Sequence, residues 1–345
     1  MRISKKSPPK KRPTYFLKDA FIDKKVVIAI CTHNRRELLL AALKAVSKLE
    51  TEAYYDVSVL IIENEKEPKL GAELSALDFP FDIHHVHEPA LGLVSGRNRS
   101  LDEAEKMGAD WLGLLDDDDQ VHEHWLLRLE QAASELPDCL AFFGQDKEKL
   151  PPDYSEYLGA VRPRDKKLGT APTILKTGNC MIGRAIFASD HYGFRFDPRF
   201  NFSGGEDTDF FMRIRNEGLR LCSVPEAILY DLKHGERRTY KYHFRRTQWE
   251  HTNLYFLYRI NMGAGIARRM LVKDLKRNLR FFLVDIIKGA FVVLSNRTEM
   301  RIKFGSAGLR IAKIMAIYDY CVGNRPSPYN VAAKEETQTP NKGQS

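Results

Sequence analysis

Four aspartates stand side by side at Asp116–Asp119, directly after the apolar run Trp111–Leu115. Two unit charges about 4 Å apart at an effective dielectric of about 20 repel by roughly 4 kcal/mol. Such a cluster needs water or a cation around it. A solvated acidic turn meets the first condition. A hard divalent ion such as Mg²⁺, Mn²⁺ or Ca²⁺, which prefers carboxylate oxygen, meets the second. More carboxylates lie in Asn201–Ile214, NFSGGEDTDFFMRI. There Gly204 and Gly205 allow the backbone to approach a ligand closely. Glu206 and Asp207 then open a helix that sends Phe210, Phe211 and Ile214 toward a core. The helix dipole stabilises acids in a first turn whatever else they do.

The flanking elements give these groups a common address. Val26–Cys31 reads as a strand buried on both faces. A helix follows, with Leu39, Leu43, Val46 and Leu49 at three- and four-residue spacing, and Asn34 with Glu37 resembles a capping box. Further strands are predicted at Val57–Ile62, Ile83–Val86 and Trp111–Leu115, and a helix at Leu93–Met107. Alternating strands and helices predict an α/β fold with a mainly parallel sheet. Ligands bind beyond the carboxyl ends of such strands. Thr32 and Asn34, Glu63, and Asp116–Asp119 all fall at those ends.

Composition narrows the class. The chain has 345 residues, 43% of them apolar, enough for one large domain with an appendage or for two domains. Five scattered cysteines without a CxxC pair predict reduced thiols. With no apolar segment in its first residues a secretory leader is not expected, and without an 18-residue uncharged apolar run neither is a spanning helix. The net charge of +8 is uneven. Residues 1–20 carry seven Lys/Arg against one acid, residues 259–310 carry twelve against three, and the remainder is net negative. Basic ends on an acidic body predict contact with an anionic surface. A nucleic-acid enzyme would need basic and aromatic residues beside the acidic cluster, so no nucleic-acid partner is expected. His84, His85 and His87, and His122 with His124, offer transition-metal ligands or simply neighbouring strand and surface positions.

The motifs VVIAICTHNR, IIENE, GLVSGRN, LLDDDD and FSGGEDTDFFMRI occur in the order found in family 2 glycosyltransferases of the GT-A fold. Over residues 24–240 the chain resembles bacterial members that build succinoglycan and other surface polysaccharides. The resemblance implies a Rossmann-like GT-A domain, a nucleotide-sugar donor (usually a UDP-sugar), a divalent metal (Mn²⁺ or Mg²⁺) and inversion at the anomeric carbon. It implies nucleotide-sugar contacts from Thr32, Arg35, Glu63, Arg97, Asn98, Asp116 and Asp117. Glu63 stands where the family usually has a base-contacting aspartate, and a structural salt bridge is the other reading of Arg97. Asp118 would hold the metal, with Asp116 in the ribose or metal shell, Asp117 open to either part and Asp119 a solvated flank. Asp207 would be the general base, with Glu206 holding the acceptor. Asp231 or His234 would complete the metal or phosphate site, and Arg237 would touch phosphate. One base without a second nucleophilic carboxylate agrees with single displacement. A fold that binds nucleotide without turnover is the alternative reading.

The residues then divide as a basic disordered arm (1–20), the GT-A domain (21–238), a helical amphipathic region (239–328) and a disordered tail (329–345). Within the GT-A part, Asp146–Thr173 is expected to be a mobile acceptor-side loop. On a wheel of 100° per residue from Leu271, Leu275, Leu279, Phe282, Leu283, Ile286 and Ala290 share one side. Arg269, Lys273, Lys276, Arg277 and Arg280 share the next. Such a helix lies in a membrane interface or packs on a partner. The expectation is peripheral attachment to the cytoplasmic face of the bacterial inner membrane, near a lipid-linked or oligosaccharide acceptor.

Overall fold

The computed structural model describes residues 24–148, 167–172, 175–231, 237, 239–292 and 296–325. The basic arm, the C-terminal tail, most of the Asp146–Thr173 loop and His234 lie outside the described residues.

The chain runs β1 (Lys24–Thr32), α1 (Arg36–Val46), β2 (Tyr55–Glu63), α2 (Gly71–Ser75), β3 (Asp82–His87), α3 (Leu93–Lys106), β4 (Trp111–Asp116), β5 (Asp119–Val121), α4 (Trp125–Glu135), β6 (Cys139–Glu148), β7 (Asn179–Gly183), α5 (Arg184–Phe187), α6 (Glu206–Asn216) and β8 (Arg220–Asp231). Three long helices follow: α7 (Tyr240–Met262), α8 (Ala264–Phe291) and α9 (Arg297–Cys321). The strands form one sheet in the order β3-β2-β1-β4-β7-β6-β8-β5. The β3-β2-β1-β4 half is parallel, whereas β7 runs antiparallel to both β4 and β6.

The apolar strands are buried on both faces because helices cover both. Val26, Ile28 and Ile30 of β1 pack with Leu39, Leu43 and Trp125 on one side. Val27 and Ala29 pack with Leu101, Phe210 and Phe211 on the other. Successive side chains point to opposite faces, so a strand buried on both has no polar positions to spare. The register then aligns the polar ends: Thr32 pairs with Glu63, and Cys31 with Asp116. Three separate segments therefore deliver their polar residues to one sheet rim.

Two expectations are corrected. Asn34 does not cap α1: it adopts a left-handed backbone (φ 52°) and Arg35 precedes the helix without a side-chain cap. A residue in that region turns the chain sharply, which serves the strand–helix corner better than a cap. Cys139 and Cys222 are joined as a disulfide, because β6 and β8 are parallel neighbours that bring positions 83 residues apart together. On α8 the buried positions are Ala267, Asp274, Asn278 and Gly289, with Leu271 and Leu275 packed beside them. The Tyr255 hydroxyl donates to Asp274 (3.3 Å) and the Asn278 amide to the Asp274 carbonyl (2.8 Å), so a polar seam joins α8 to α7. Leu279, Leu283, Ile287 and Phe291 stay exposed, as do Phe304, Ile311, Met315 and Tyr318 of α9. Among the described residues no helix is long and apolar enough to cross a membrane.

Away from the rim, Glu130 of α4 is fully buried and accepts from the Thr51 hydroxyl (2.7 Å) and the Glu52 amide (2.9 Å). Burial pushes its carboxyl up to about 7, those two hydrogen bonds opposing the shift. The unfolded chain ionises this group near 4.5. Its contribution to stability is therefore full below pH 4.5 and is lost as pH rises to 7. At 1.36 kcal/mol per pKa unit the loss is at most about 3 kcal/mol. Chemical denaturation of wild type and Glu130→Gln at pH 5 and pH 8 checks this: the variant should lack that component of the pH dependence.

Candidate functional site

Each of the four aspartates has a different environment. Asp117 is buried; its Oδ2 accepts from the Thr32 hydroxyl (2.9 Å) and its Oδ1 from Arg35 Nη1 (3.0 Å). Burial raises its pKa, and Arg35 and Thr32 oppose that. Asp118 is held by Arg237 and lies 3.7 Å from Arg35. Asp119 is buried rather than a solvated flank, because it begins β5 opposite Asp231 and its Oδ2 accepts the Asp116 amide (3.0 Å). Burial and the Asp116 charge push its pKa well up. Asp116 alone keeps a half-exposed side chain (50%). Two arginines and a threonine thus offset part of the repulsion, and the remaining negative charge faces outward at Asp116.

Opposite this turn stands the head of α6. Gly204 (φ 75°) and Gly205 (φ 88°) both take left-handed backbone, which glycine adopts without strain. They set Glu206 and Asp207 in the first turn. Glu206 is buried and paired with Arg97, whose Nη2 also lies 3.5 Å from Asp116 Oδ1. Arg97 therefore links the end of β4 to the start of α6. The Thr208 amide (2.6 Å) and hydroxyl (3.4 Å) both donate to Asp207 Oδ1. Burial raises the Asp207 pKa; Arg97 opposes this and the Asp116 charge adds to it. A carboxylate with one oxygen fixed, a raised pKa and a neighbouring cation is suited to accepting a proton.

Two of the expected nucleotide contacts are occupied within the protein. Glu63 Oε1 accepts the Lys69 amide (2.7 Å), and Oε2 accepts the Leu70 amide (3.2 Å) and contacts His85 Nε2 (2.8 Å). It ties the 64–70 loop to β2. The Asn98 amide pairs with the backbone of Phe196 through both its nitrogen (3.0 Å) and its oxygen (2.7 Å). His87 likewise binds the Glu65 carbonyl (2.8 Å). His124 meets Glu50 and Glu123 in an exposed group away from the sheet rim.

Several residues that shape the cleft carry no local signal in the sequence. Asn201 Oδ1 accepts the Val94 amide (2.9 Å) at the start of α3, and its nitrogen donates to the Leu91 carbonyl (3.0 Å). Asn64 receives the Gly92 amide (2.9 Å) and donates to the Ala90 carbonyl (2.8 Å). Gly178 lies so close to Asp116 that a β-carbon there would sit 2.6 Å from its Oδ2. Lys176 is paired with Asp146 (2.6 Å). Burial works against its charge, but Asp146, Asp119 and Asp116 more than offset that and raise its pKa. Only the Gly178 type and the Asn201 position inside NFSGGED could have hinted at these roles.

The donor set fits a hard divalent ion. Mg²⁺ and similar ions take one or two carboxylates and complete their shell with water and substrate phosphate. Asp116, half-exposed, and Asp118, held by Arg237, would supply that number. Arg35 and Arg237 stand beside Asp118.

Residues 27–188 match the family model described as Glycosyl transferase family 2, a span that stops short of Glu206 and Asp207. Among curated proteins the chain is similar to the succinoglycan biosynthesis protein ExoM of Rhizobium meliloti, 29% identical over 209 residues. That match covers 59% of this chain and 65% of the relative's length. Among solved structures, the S. aureus TarS 1–349 complex with UDP-GlcNAc is similar with a TM-score of 0.51, 13% identity and coverage of 91% of this chain and 92% of that one. The mannosyltransferase PcManGT from Pyrobaculum calidifontis, in complex with GDP-Man and Mn²⁺, is similar with a TM-score of 0.52, 14% identity and coverage of 84% and 86%. At such identities the likeness is one of fold, and it is the mixed α/β fold expected from the motifs.

Proposed function

We propose, from the match of residues 27–188 to the Glycosyl transferase family 2 model, that this chain transfers a sugar from a nucleotide diphosphate donor, a UDP-sugar, to a saccharide or lipid-linked acceptor in bacterial surface-polysaccharide synthesis. Transfer is by single displacement with inversion. The observation that carries this reading is the Arg97 bridge, which pairs with Glu206 at the start of α6 and reaches Asp116 at the end of β4, bringing the two carboxylate groups together at the sheet rim.

Asp116 and Asp118 would hold the divalent cation, which when bound neutralises the diphosphate and the charge growing on the leaving nucleotide. Thr32 and Arg35 fix Asp117 and so hold the turn in shape. Arg35 and Arg237, both beside Asp118, are within the region a diphosphate would occupy. Asp207 takes the proton of the attacking acceptor hydroxyl on Oδ2, since Thr208 donates to Oδ1. Glu206 and Arg97 keep Asp207 correctly placed and ionised. With Glu63 engaged by the 64–70 loop, the base is read by that loop's exposed surface rather than by the Glu63 carboxylate. The uridine assignment draws on the UDP-GlcNAc held by the similar TarS structure and the polysaccharide assignment on ExoM; the GDP-Man in the other similar structure makes guanosine the competing base. A panel of UDP- and GDP-sugars with Mn²⁺ or Mg²⁺, read as ligand-induced melting shifts and then as donor turnover, tests it. Protection and turnover only by UDP-sugars with metal present is the expected result; no nucleotide sugar protecting would contradict it.

The exposed stripe of α8 supports attachment to the cytoplasmic face of the inner membrane. Leu279, Leu283 and Ile287 lie outward, and Arg269, Lys273, Lys276 and Arg280 border them on the same helix. Each basic residue near an anionic leaflet contributes about 1 kcal/mol. The double variant Lys273→Gln/Lys276→Gln should therefore bind anionic vesicles about 30-fold more weakly, measured by co-sedimentation. Wild-type binding should also fall as salt rises.

A further inference from the structure

Between α7 and α9, on the face of α7 away from the catalytic loop, lies a pocket of about 210 Å³ lined by Thr247, His251, Ser306, Leu309, Arg310 and Lys313. We propose that this pocket binds a phosphate group, carried by a lipid headgroup or free in solution. The site is separate from the carboxylate cleft and stands whatever donor that cleft takes.

The charge in the pocket is unbalanced. Lys313 makes no hydrogen bond or ion pair among the described residues, although it is half-buried. Burial lowers its pKa first, and Arg310 and Arg277 lower it further, outweighing Asp274 and Glu250. An ammonium held in a positive local field without a partner is unfavourable, and an incoming anion removes that penalty. Arg310 is already oriented. Its Nε lies 3.7 Å from Asp285, its Nη1 is 3.5 Å from Asn278 Oδ1, and its guanidinium sits 5.2 Å from the Phe281 ring centre. A guanidinium fixed in this way loses little freedom when it meets a phosphate. His251 donates through Nδ1 to the Thr247 carbonyl (2.9 Å), which leaves Nε2 for a ligand. Burial and Lys313 lower its pKa; with Nδ1 donating, Nε2 of the neutral ring is an acceptor and meets a phosphate through a P–OH proton. The hydroxyl groups of Thr247 and Ser306 add donors of the kind that phosphate oxygens accept. The volume is below the roughly 300–1,000 Å³ of pockets that enclose a whole nucleotide-sized ligand. It suits a phosphate whose substituent remains outside.

The test uses the full chain in phosphate-free buffer with EDTA, so that no metal recruits phosphate to the aspartate turn. Inorganic phosphate is titrated in one arm, and vesicles of phosphatidylcholine with or without phosphatidic acid in another, with melting temperature as the readout. Wild type should be protected saturably. Lys313→Gln should melt at the same or a higher temperature without ligand, since an isolated cation is gone, and should bind phosphate at least about tenfold more weakly. Protection by phosphatidic acid vesicles at a phosphate concentration where the free ion does nothing, over and above that seen with Lys313→Gln, identifies a lipid headgroup. Protection by the free ion identifies a soluble source. Ser306→Ala, which removes one donor and little volume, should weaken the same binding by a smaller factor. Equal protection of wild type and Lys313→Gln, or no protection in either arm, would overturn the proposal. Donor turnover should be the same in wild type and Lys313→Gln with a soluble acceptor, which keeps this result distinct from the fate of the catalytic reading.

Discussion

Asp207→Asn should lower donor turnover by about 10²–10⁴-fold while nucleotide binding stays within a few-fold of wild type. The asparagine is nearly isosteric and its carbonyl oxygen can still accept from Thr208, so the head of α6 keeps its hydrogen bonds. What is lost is the basic oxygen. The expected signature is a fall in kcat with little change in the donor dissociation constant, measured by calorimetry on the same preparations. A purely helix-capping role predicts something else: reduced thermal stability and little change in kcat, because one acid at a helix N-terminus is worth about 0.3–1 kcal/mol. Glu206→Gln separates the neighbours. Glu206 is buried and paired with Arg97, so its loss should loosen Arg97 and raise the KM for donor more than it lowers kcat.

Removing the cation with EDTA, or replacing Asp118 with Asn, should lower turnover by about 10³-fold or more, since charge stabilisation by a bound metal is worth several kcal/mol in the transition state. Adding Mn²⁺ or Mg²⁺ should restore the chelated wild type fully and the variant only at much higher metal concentration. Asp118 is also the residue that Arg237 and Arg35 hold. A cation held by Asp118 would compete with those arginines for its carboxylate and would leave them available to a diphosphate. Donor and metal should bind cooperatively as a result: the donor dissociation constant should fall on adding metal, and the metal constant should fall by the same factor on adding donor. Asp117→Asn should behave differently. Its carboxylate holds Thr32 and Arg35 from a buried position, so the variant should lose stability of the turn before it loses metal affinity.

The parts of this site that could be read in advance are those made by short segments. Strands of β-branched residues with polar ends predict a parallel sheet and a ligand rim, and Thr32, Glu63 and Asp116 do meet there through the strand register. The Gly-Gly-Glu-Asp run predicts a turn into a helix, and α6 begins at Glu206. What local pattern could not convey is who partners whom across the fold. Glu63 sits at its expected strand end, yet its oxygens face the 64–70 loop. Asn98 follows Arg97 in the chain but points at Phe196, because one turn of helix places consecutive residues about 100° apart. Asp119 is carried inward by pairing with β8, a strand more than a hundred residues away. The Cys139–Cys222 pair and the Asn201 contacts with α3 depend on the same kind of long-range placement. On α8 the wheel identified an apolar side correctly but not that the fold would turn Asp274 and Asn278 inward and leave much of that side uncovered.

The central claim is that a divalent ion and a donor diphosphate occupy the space between the aspartate turn and Asp207. Crystals grown with Mn²⁺ and UDP, measured near the manganese absorption edge, address it directly. An anomalous peak within bonding distance of Asp116 and Asp118 carboxylate oxygens, with the diphosphate bridging toward Arg35 and Arg237, is the predicted result. A peak only at the exposed Glu50–Glu123–His124 group, or nucleotide bound with no metal at the turn, would contradict it.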